Sequence, residues 1–477
     1  MLAGRSDPER GIMSDAAEFP TRTERARRGE ATRARVPFEA LAALEPGAPR
    51  DPLGLLDDQA RTRIPELVPV RSRRMSLSPF AFLRGSALVM ADDLARNPRT
   101  DLRVQLCGDA HLGNFGIFAT PERRLAFDLD DFDETYPGPF EWDVKRLAAS
   151  VEVAARGIGC GGKRRSRIVH ACVAGYRETM IRQAALGHLA VWYTHVEPSA
   201  ELAQLRDELD AATRRSSRKL VEKSWRYDSV HALGKLTVVV DGRRRIVSRP
   251  PLVAPIEEVF ADADADAVYA ELRTRLAEYR DTLQDPCRIP FEQYEFVQAA
   301  RKVVGVGSVG TRAWILLLRG ADDDDPLFLQ AKEAERSVLA RYLDGPSYPS
   351  EGRRVVEGQR IMQAASDILL GWQSGTGFDG VRRDYYVRQL RDAKASPAIE
   401  SMTPTGLQTY ARLCGRVLAH AHARSGDRGA IAAYLGSGTG FDEAIAGFAR
   451  GYADLTVRDH AELVAAIDTG RGTTVRA

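Results

Sequence analysis

A short segment of the chain combines residue types that could transfer a phosphoryl group. Asp109 and Asn114 lie in the sequence Gly108–Asn114, directly after an alternating, strand-like run, Leu102–Leu106. In phosphoryl transfer, a loop carboxylate accepts the proton of the substrate hydroxyl, and an asparagine five residues later can turn back to bind a metal ion. The pair predicts Asp109 as a catalytic base and Asn114 as a metal ligand, although this spacing also occurs by chance in many long chains.

A second acidic segment follows one predicted hairpin later. The chain after Asn114 has the pattern of a strand pair that ends in the acids of Asp128–Asp133. Phosphoryl transfer needs a further carboxylate for the metal that bridges the nucleotide phosphates. Hairpin length favours Asp128 as this ligand, the distance to the next motif favours Asp131, and Asp130 is a third choice. The alternative is an inert acidic turn, but so many acids repel one another unless a cation lies among them.

The order of these motifs resembles that of the aminoglycoside phosphotransferase and choline kinase class. Their catalytic loop reads H-G-D-x-H-x-G-N, and a metal-binding I-D-[WF] element is followed by a P-x-[YW]-D that opens a helix. Here the corresponding segments are Gly108–Asn114, Asp131–Asp133 and Pro139–Asp143, with Cys107 in place of the first histidine. The resemblance implies a kinase-like enzyme with ATP and Mg²⁺ as cofactors.

Two further residues of these motifs are predicted to have structural roles. Asp143, at the start of the predicted helix, is expected to brace the catalytic loop by hydrogen bonds to its backbone. His111 could suggest a metal ligand, but no second histidine or cysteine stands at metal-ligand spacing. We therefore expect a hydrogen-bonded loop histidine.

Longer phrases resemble a bacterial domain-of-unknown-function family, number 2252. The resemblance covers most of residues 70–460 and implies little about function. The phrases that carry it are Ser78–Gly85, Gly108–Asn114, Phe132–Arg146 and Val356–Arg360.

A kinase-like site also needs a glycine-rich loop over the phosphates and a lysine on a neighbouring strand. The sequence offers Gly305, Gly307 and Gly310 in a G-x-G-x-x-G pattern, and Lys332 at the end of the second strand-like run that follows. A dinucleotide-binding loop would require its third glycine to open a helix, whereas Arg312–Leu318 is dense in strand formers. A simple glycine-rich turn in a sheet is the remaining alternative.

The order of these parts predicts a circularly permuted chain. The first lysine of the sequence, Lys145, already follows Asp109, so the nucleotide lobe must come after the catalytic loop. Leu413–Ala423 resembles the helix that runs directly into the catalytic loop of aminoglycoside phosphotransferases. Glu357 is predicted to form the ion pair that positions the nucleotide-binding lysine, with Glu335 as its competitor.

The predicted fold class is α+β, with a kinase-like, two-lobed and circularly permuted arrangement. The predicted parts are a disordered arm, the first part of a helical catalytic-loop lobe with inserted helices and a hairpin, a nucleotide-binding lobe, and the second part of the helical lobe. Their ranges are 1–35, 36–290, 291–395 and 396–477.

Composition excludes several other classes of protein. Net charge is +2 from 68 basic and 66 acidic residues, which gives no overall field that would attract nucleic acid. The five cysteines contain no C-x-x-C pair, which favours a reducing compartment and argues against a zinc site. No apolar run is long enough to span a membrane or to form a signal peptide, so a cytoplasmic protein is predicted.

The predicted activity is ATP- and Mg²⁺-dependent phosphoryl transfer to an unknown hydroxyl acceptor, which is a small molecule or a protein. The alternatives are AMP transfer from a reversed nucleotide, a nucleotide-binding pseudoenzyme that regulates a partner, and a metal-dependent hydrolase. A hydrolase would leave the glycine loop and Lys332 unexplained. Arg84 and Arg360 are further candidates for phosphate binding, but arginine is abundant in this chain and an ordinary role is favoured for both.

Overall fold

The computed structural model describes residues 19–44, 50–226, 229–262, 264–303, 305, 307–377, 379–390 and 393–470. The chain is an α+β protein, as predicted, in which helices and antiparallel strands segregate. The helices are α1 Arg22–Arg35, α2 Phe38–Ala42, α3 Pro52–Ala60, α4 Val68–Met75, α5 Pro79–Gly85, α6 Ala87–Ala95, α7 Phe140–Gly157, α8 Gly162–Ala185, α9 His188–Tyr193, α10 Pro198–Gln204, α11 Ala211–Ser224, α12 Ser229–Leu236, α13 Ile256–Val259, α14 Ala265–Thr282, α15 Asp285–Phe291, α16 Glu351–Met362, α17 Pro404–Ser425, α18 Arg428–Leu435 and α19 Gly440–Asp468.

The strands form one large sheet and three two-stranded pairs within the described residues. The strands are β1 Arg103–Leu106, β2 Phe115–Ala119, β3 Leu125–Leu129, β4 Tyr136–Pro139, β5 Thr237–Val240, β6 Arg243–Ile246, β7 Val253–Pro255, β8 Glu295–Lys302, β9 Ala313–Arg319, β10 Pro326–Ala334, β11 Gly371–Thr376 and β12 Arg382–Gln389.

A helical unit surrounds α7, and 16 of the 18 residues of this helix are buried. Helices α8, α17 and α19 pack around it, so residues from both halves of the sequence share one hydrophobic core. Two glycines let α8 and α17 approach closely. A Cβ on Gly415 would lie 2.1 Å from the carbonyl oxygen of Cys172, and one on Gly175 would lie 2.5 Å from that of Arg412. The tight packing fixes α17 against the elements that carry the predicted catalytic loop.

The large sheet is antiparallel, with the strand order β11-β12-β10-β9-β8-β7. Side chains of a strand point alternately to the two faces of the sheet. On β10, Leu327 and Leu329 pack with α14, whereas Phe328 packs with Ala232 and Leu233 of α12. Lys332 lies four residues after Phe328 on the same strand, so its side chain points to the same face of the sheet, the one that α12 covers.

The boundary predicted at residue 291 is wrong, because the sheet unit recruits earlier elements. Strand β7 pairs with β8 at the edge of the sheet, and α12 and α14 cover its two faces. A sheet with two apolar faces needs both of them covered, which the segment 229–291 provides here. The hairpin predicted before this boundary is present, with Asp241 and Gly242 at φ 50° and 72° in its turn.

The prediction of a disordered arm over residues 1–35 is wrong where the structure describes it. Residues 1–18 lie outside the described residues, but residues 22–35 form α1, which begins with a capping box between Thr21 and Glu24. Gly29 packs against α18, where a Cβ would lie 2.1 Å from the carbonyl oxygen of Ala430. High charge content suggested disorder, yet the helix docks through a glycine and ion pairs of Arg25 and Arg28 with Asp427.

None of the helices in the described part of the chain is both long enough and apolar enough to cross a bilayer.

Candidate active-site cleft

The predicted catalytic loop leaves β1 through a backbone conformation that only glycine adopts easily. Gly108 has φ +84°, and a Cβ at this position would lie 2.2 Å from the carbonyl oxygen of Glu134. The carboxylate of Asp143, in the first turn of α7, accepts hydrogen bonds from the backbone N–H groups of Cys107 (2.6 Å) and Gly108 (3.0 Å). Asp143 thus makes the backbone contacts that the sequence predicted for it.

Helix α17 supports the loop from below, where residues 413–423 were expected. His422 lies 3.2 Å from the carboxylate of Asp143 through its Nε2 and 3.0 Å from the hydroxyl of Tyr176 through its Nδ1. The Tyr410 hydroxyl donates to the carbonyl oxygen of Leu112 at 2.9 Å. The loop is therefore held by side chains from three helices.

The carboxylate of Asp109 is held by a neighbouring arginine. Its Oδ1 accepts from Nε and Nη2 of Arg146 at 2.9 and 2.7 Å. Burial raises the pKa of Asp109 to about 6, and the charge of Arg146 only partly opposes this shift. Asp109 is therefore mostly ionised at pH 7 but has gained basicity compared with an exposed aspartate.

The other two loop residues also have defined partners. The side-chain Nδ2 of Asn114 donates to the carbonyl oxygen of Asp109 at 2.6 Å, which fixes the orientation of the amide. His111 is buried, and its Nδ1 accepts from the N–H of Gly113 at 3.0 Å. Burial holds the pKa of His111 well below its usual range, so the imidazole is neutral at pH 7.

The acids of the segment 128–133 point in different directions. Asp128 accepts hydrogen bonds from the N–H groups of Leu129 (2.9 Å) and Ala364 (3.1 Å) and does not line the cleft. Asp130 forms an ion pair with Lys394 at 3.0 Å. The structure therefore does not bring Asp128 together with the other predicted metal ligands, because its oxygens accept from backbone groups behind the hairpin.

Asp131 and Asp133 face the cleft, where Lys332 neutralises them. The Lys332 ammonium lies 3.7 Å from Asp131 and forms a closer ion pair with Asp133, which also accepts from the Tyr386 hydroxyl at 2.8 Å. Burial favours protonation of Asp131, but Lys332 and two further cations outweigh it and lower its pKa to about 2. Burial and the charge of Asp131 raise the pKa of Asp133.

Only part of the predicted glycine loop reaches this site. Gly305 and Gly307 line the cleft, and the hydroxyl of Ser308 donates to Asp133 at 3.3 Å. Gly310 was predicted to contact the nucleotide, but it packs behind the loop. Its φ is +93°, its carbonyl oxygen accepts from the N–H of Ile64, and a Cβ would lie 3.0 Å from the side chain of Arg63.

These segments enclose a single cleft of about 70 Å³. It brings together groups that are far apart in the sequence, since the ion pair of Lys332 with Asp133 joins residues 199 positions apart. The lining residues are Gln59, Arg84, Gly85, Ala87, Asp109, His111, Asn114, Asp131, Asp133, Glu134, Gly305, Gly307 and Ser308.

The structure does not form the predicted ion pair between Glu357 and Lys332. Glu357 pairs with Arg353 at 2.7 Å on the same helix, and about two fifths of its side chain is exposed. Lys332 pairs with Asp131 and Asp133 instead. The face of α16 that contacts the sheet carries Gly352, whose Cβ would lie 2.2 Å from a strand carbonyl, so Glu357 is turned away.

Two cleft residues, Asp133 and Glu134, and the Asp109 partner Arg146 escaped the sequence analysis. Asp133 was given no role, although it lies only two positions after Asp131 in the same acidic segment. Arg146 lies three residues after Asp143 and hence on the same side of α7, which was an available signal. Glu134 accepts from the N–H of Val338, and burial raises its pKa to about 7. Its position could not be inferred from spacing, because the partner lies beyond β10.

The cleft has the donor chemistry that magnesium prefers. Within the described residues, no group of three or more histidine, cysteine, aspartate or glutamate side chains is arranged to hold a metal ion. However, Asp131, Asp133 and Asn114 line one cleft and offer oxygen ligands. Mg²⁺ is usually bound by one or two carboxylates, with water and substrate phosphates completing the shell. The residues therefore fit a magnesium ion that enters with a phosphate.

Together, the fold and the cleft define an α+β protein with an acidic cleft between a helical unit and a six-stranded sheet, in which the buried Lys332 pairs with two of the cleft acids. The chain belongs to the family described as an uncharacterized protein conserved in bacteria (DUF2252), which matches residues 63–466. The family resemblance predicted from the sequence phrases is thus confirmed. No curated protein and no solved structure matches the chain.

Proposed function

We propose that this protein is an ATP- and Mg²⁺-dependent phosphotransferase that acts on a hydroxyl acceptor. The observation that supports the proposal is the shared cleft of three distant segments. Asp109 and Asn114 come from the catalytic loop, Asp131 and Asp133 from the acidic hairpin, and Gly305 and Gly307 from the glycine loop. Phosphoryl transfer of the kinase type uses a base, metal-binding oxygens and a phosphate-covering loop together.

The sheet supports the same proposal. The glycine loop joins two antiparallel strands, β8 and β9, and the next strand, β10, carries Lys332. In a kinase-like nucleotide lobe, a glycine-rich loop covers the phosphates and the lysine of a nearby strand contacts them. On this account the nucleotide lobe follows the catalytic loop in the sequence, so the chain is a permuted member of this class.

The contacts of Asp109 assign different roles to its two oxygens. Oδ1 is occupied by Arg146, whereas Oδ2 accepts no hydrogen bond among the described residues and lies 3.8 Å from Nε2 of the neutral His111. Oδ2 is therefore the atom that accepts the acceptor's hydroxyl proton. The acceptor oxygen forms a bond to the terminal phosphorus, the bond from that phosphorus to the bridging oxygen breaks, and ADP leaves with that electron pair.

The remaining residues hold the phosphates. Asn114, Asp131 and Asp133 would bind Mg²⁺, which neutralises phosphate charge when it is present. Lys332 is already charged in the cleft and would exchange part of its contact with Asp133 for a phosphate oxygen. A cleft of about 70 Å³ is smaller than the ~300–1,000 Å³ typical of ligand pockets, so the glycine loop must lift to admit a nucleotide.

The proposal is tested by the melting temperature of the protein with ATP, ADP and GTP, with and without Mg²⁺. Because a ligand of the native state stabilises it, millimolar ATP with Mg²⁺ should raise the melting temperature. No shift in a folded sample would contradict the proposal. Once an acceptor is found, a mass gain of about 80 Da indicates phosphoryl transfer and about 329 Da indicates AMP transfer, the alternative outcome.

A further inference from the structure

Arg84 is a cation of the cleft lining that forms no hydrogen bond or ion pair through its side chain among the described residues, although its charge lowers the pKa of the nearby Asp109. It lies in the last turn of α5 and lines the cleft together with Asp109 and Asn114. Its Nε is buried without a hydrogen-bond partner, and no hydrogen bond or ion pair of its guanidinium is recorded in the described ranges. Lys332, by comparison, is paired with two carboxylates. A buried, unpaired polar group is costly, which indicates that an external partner satisfies it.

The guanidinium lies where the catalytic loop and the glycine loop meet. A Cβ on Gly113, which separates His111 from Asn114, would be 3.3 Å from Nε of Arg84. On the other side, a Cβ on Gly307 would be 3.3 Å from the carbonyl oxygen of Arg84. Arg84 therefore lies next to both the catalytic loop, which carries Asp109, and the glycine loop, which is proposed to cover the phosphates.

Two buried arginines, Arg63 and Arg71, hold the segments next to Arg84 in place. Arg71 donates to the Gln59 side chain and to the carbonyl oxygen of Gly85, both at 2.7 Å. Arg63 donates to the carbonyl oxygen of Val309 in the glycine loop. Neither forms an ion pair with a carboxylate among the described residues, although the charges of nearby carboxylates act on Arg63. The hydrogen bonds of the two arginines fix the segments on both sides of Arg84.

We propose that Arg84 is a catalytic residue that binds the transferred phosphoryl group and stabilises the charge that develops on its oxygens. This inference rests on the proposed phosphotransferase function and adds to it the group that contacts the moving phosphoryl. Arginine suits the task because its planar fork binds phosphate oxygens in pairs. The terminal phosphorus must lie near Asp109, and Arg84, whose buried Nε has no hydrogen-bond partner, lines the same cleft close enough to lower the pKa of Asp109.

The inference is tested with ADP, Mg²⁺ and fluoroaluminate, which together imitate the phosphoryl group during transfer. Binding of ADP alone and of the ADP–fluoroaluminate complex is measured by titration calorimetry. The variants are Arg84→Met, Arg84→Lys and the control Arg360→Met. Arg360 donates to the carbonyl oxygen of Leu370 at 2.7 Å and lies outside the cleft.

Wild-type protein and Arg360→Met should bind ADP–fluoroaluminate more tightly than ADP. Arg84→Met should lose this preference while ADP affinity stays within about threefold, and Arg84→Lys should keep part of it. An arginine that contacts the transferred phosphoryl is worth on the order of 10³-fold in rate, and the lost preference should approach that value. Arg84→Lys keeps the positive charge but lacks the planar guanidinium. It therefore shows whether charge alone maintains the preference for ADP–fluoroaluminate.

The outcomes separate this inference from the proposed function. If wild-type protein binds neither ADP nor ADP–fluoroaluminate, the phosphotransferase proposal fails, and the role of Arg84 with it. If wild-type protein prefers ADP–fluoroaluminate and Arg84→Met keeps the same preference, the function stands and the role of Arg84 is wrong. Binding of ADP by wild-type protein without any preference for the fluoroaluminate complex also contradicts the role.

Discussion

The two walls of the cleft are built in different ways. The catalytic-loop wall is fixed by buried contacts: Asp143 holds two backbone N–H groups, the Ser150 hydroxyl accepts from the N–H of Leu112 at 3.0 Å, and Tyr410 holds a loop carbonyl group. The described residues of the glycine loop are held by the Arg63 hydrogen bond to the carbonyl oxygen of Val309, by the backbone contact of Gly310 with Ile64, and by the 3.3 Å hydrogen bond of Ser308 to Asp133.

The difference suggests a division of labour. Preorganised groups lower the cost of stabilising charge at the moment of reaction, so the base should be rigidly held. A lid that admits substrate must open at low cost and therefore makes few contacts. We expect changes in the first wall to affect turnover or folding strongly, and changes in the second to affect nucleotide affinity weakly.

The largest effect should follow removal of the proposed base. Asp109→Asn should lower turnover by about 10³-fold, within the range of general base catalysis, and should leave MgATP affinity nearly unchanged. Steady-state kinetics and calorimetry measure the two quantities. Asp130→Asn is the control, since Asp130 pairs with Lys394 outside the cleft. Wild-type turnover in Asp109→Asn would show that this loop is not catalytic.

The second prediction concerns the support of the rigid wall. Asp143→Ala should lower the free energy of unfolding by about 3 kcal/mol, because it leaves two buried backbone N–H groups without acceptors. Asp454→Ala, which removes an exposed partner of Arg156, should cost less than about 1 kcal/mol. Urea unfolding compares the two. Equal losses would mean that Asp143 does not hold the loop.

The pH profile of the reaction should report Asp109. Its carboxylate must be ionised to act as a base, so kcat/KM should fall as the pH drops through about 6, the pKa of Asp109. Arg146 lowers that pKa, and Arg146→Met should therefore move the acidic limb to higher pH. A limb that is unmoved by Arg146→Met would assign the titration to another group.

The smallest effect should appear on the glycine-loop wall. Ser308→Ala removes the hydrogen bond to Asp133 that nucleotide entry must break. MgATP affinity should then rise by about threefold, since a hydrogen bond contributes ~0.5–1.5 kcal/mol net. Ser76→Ala, at a half-buried serine that donates to the carbonyl oxygen of Arg73, is the control for calorimetry. A marked loss of affinity in Ser308→Ala would instead make the hydroxyl a phosphate ligand.

Local pattern was enough to predict the elements of both walls. The strand pair that includes β2 and β3 and the strands on either side of the glycine loop were read from alternation and turn residues. The position of α17 beneath the catalytic loop followed from the resemblance. These features depend on short stretches of sequence, which is why they could be anticipated.

The directions of individual side chains could not be anticipated in the same way. Asp128 is turned from the cleft by the N–H of Ala364, a partner 236 residues away. Glu357 is turned from Lys332 because a glycine of α16 occupies the contact with the sheet. The directions of these side chains depend on tertiary contacts, which the spacing of residues in the sequence does not reveal. Asp128 lies within β3, whereas Asp131 and Asp133 follow its end, where strand alternation no longer sets the direction of a side chain.

The most direct test of the shared cleft is the Mg²⁺ dependence of ATP binding in paired aspartate variants. We expect wild-type protein and Asp128→Asn to bind ATP more tightly when Mg²⁺ is present. Asp131→Asn should lose most of this Mg²⁺ effect, because Asp131 lines the cleft and Asp128 does not. Absence of ATP binding in wild-type protein, or loss of the Mg²⁺ effect in Asp128→Asn but not in Asp131→Asn, would contradict the account.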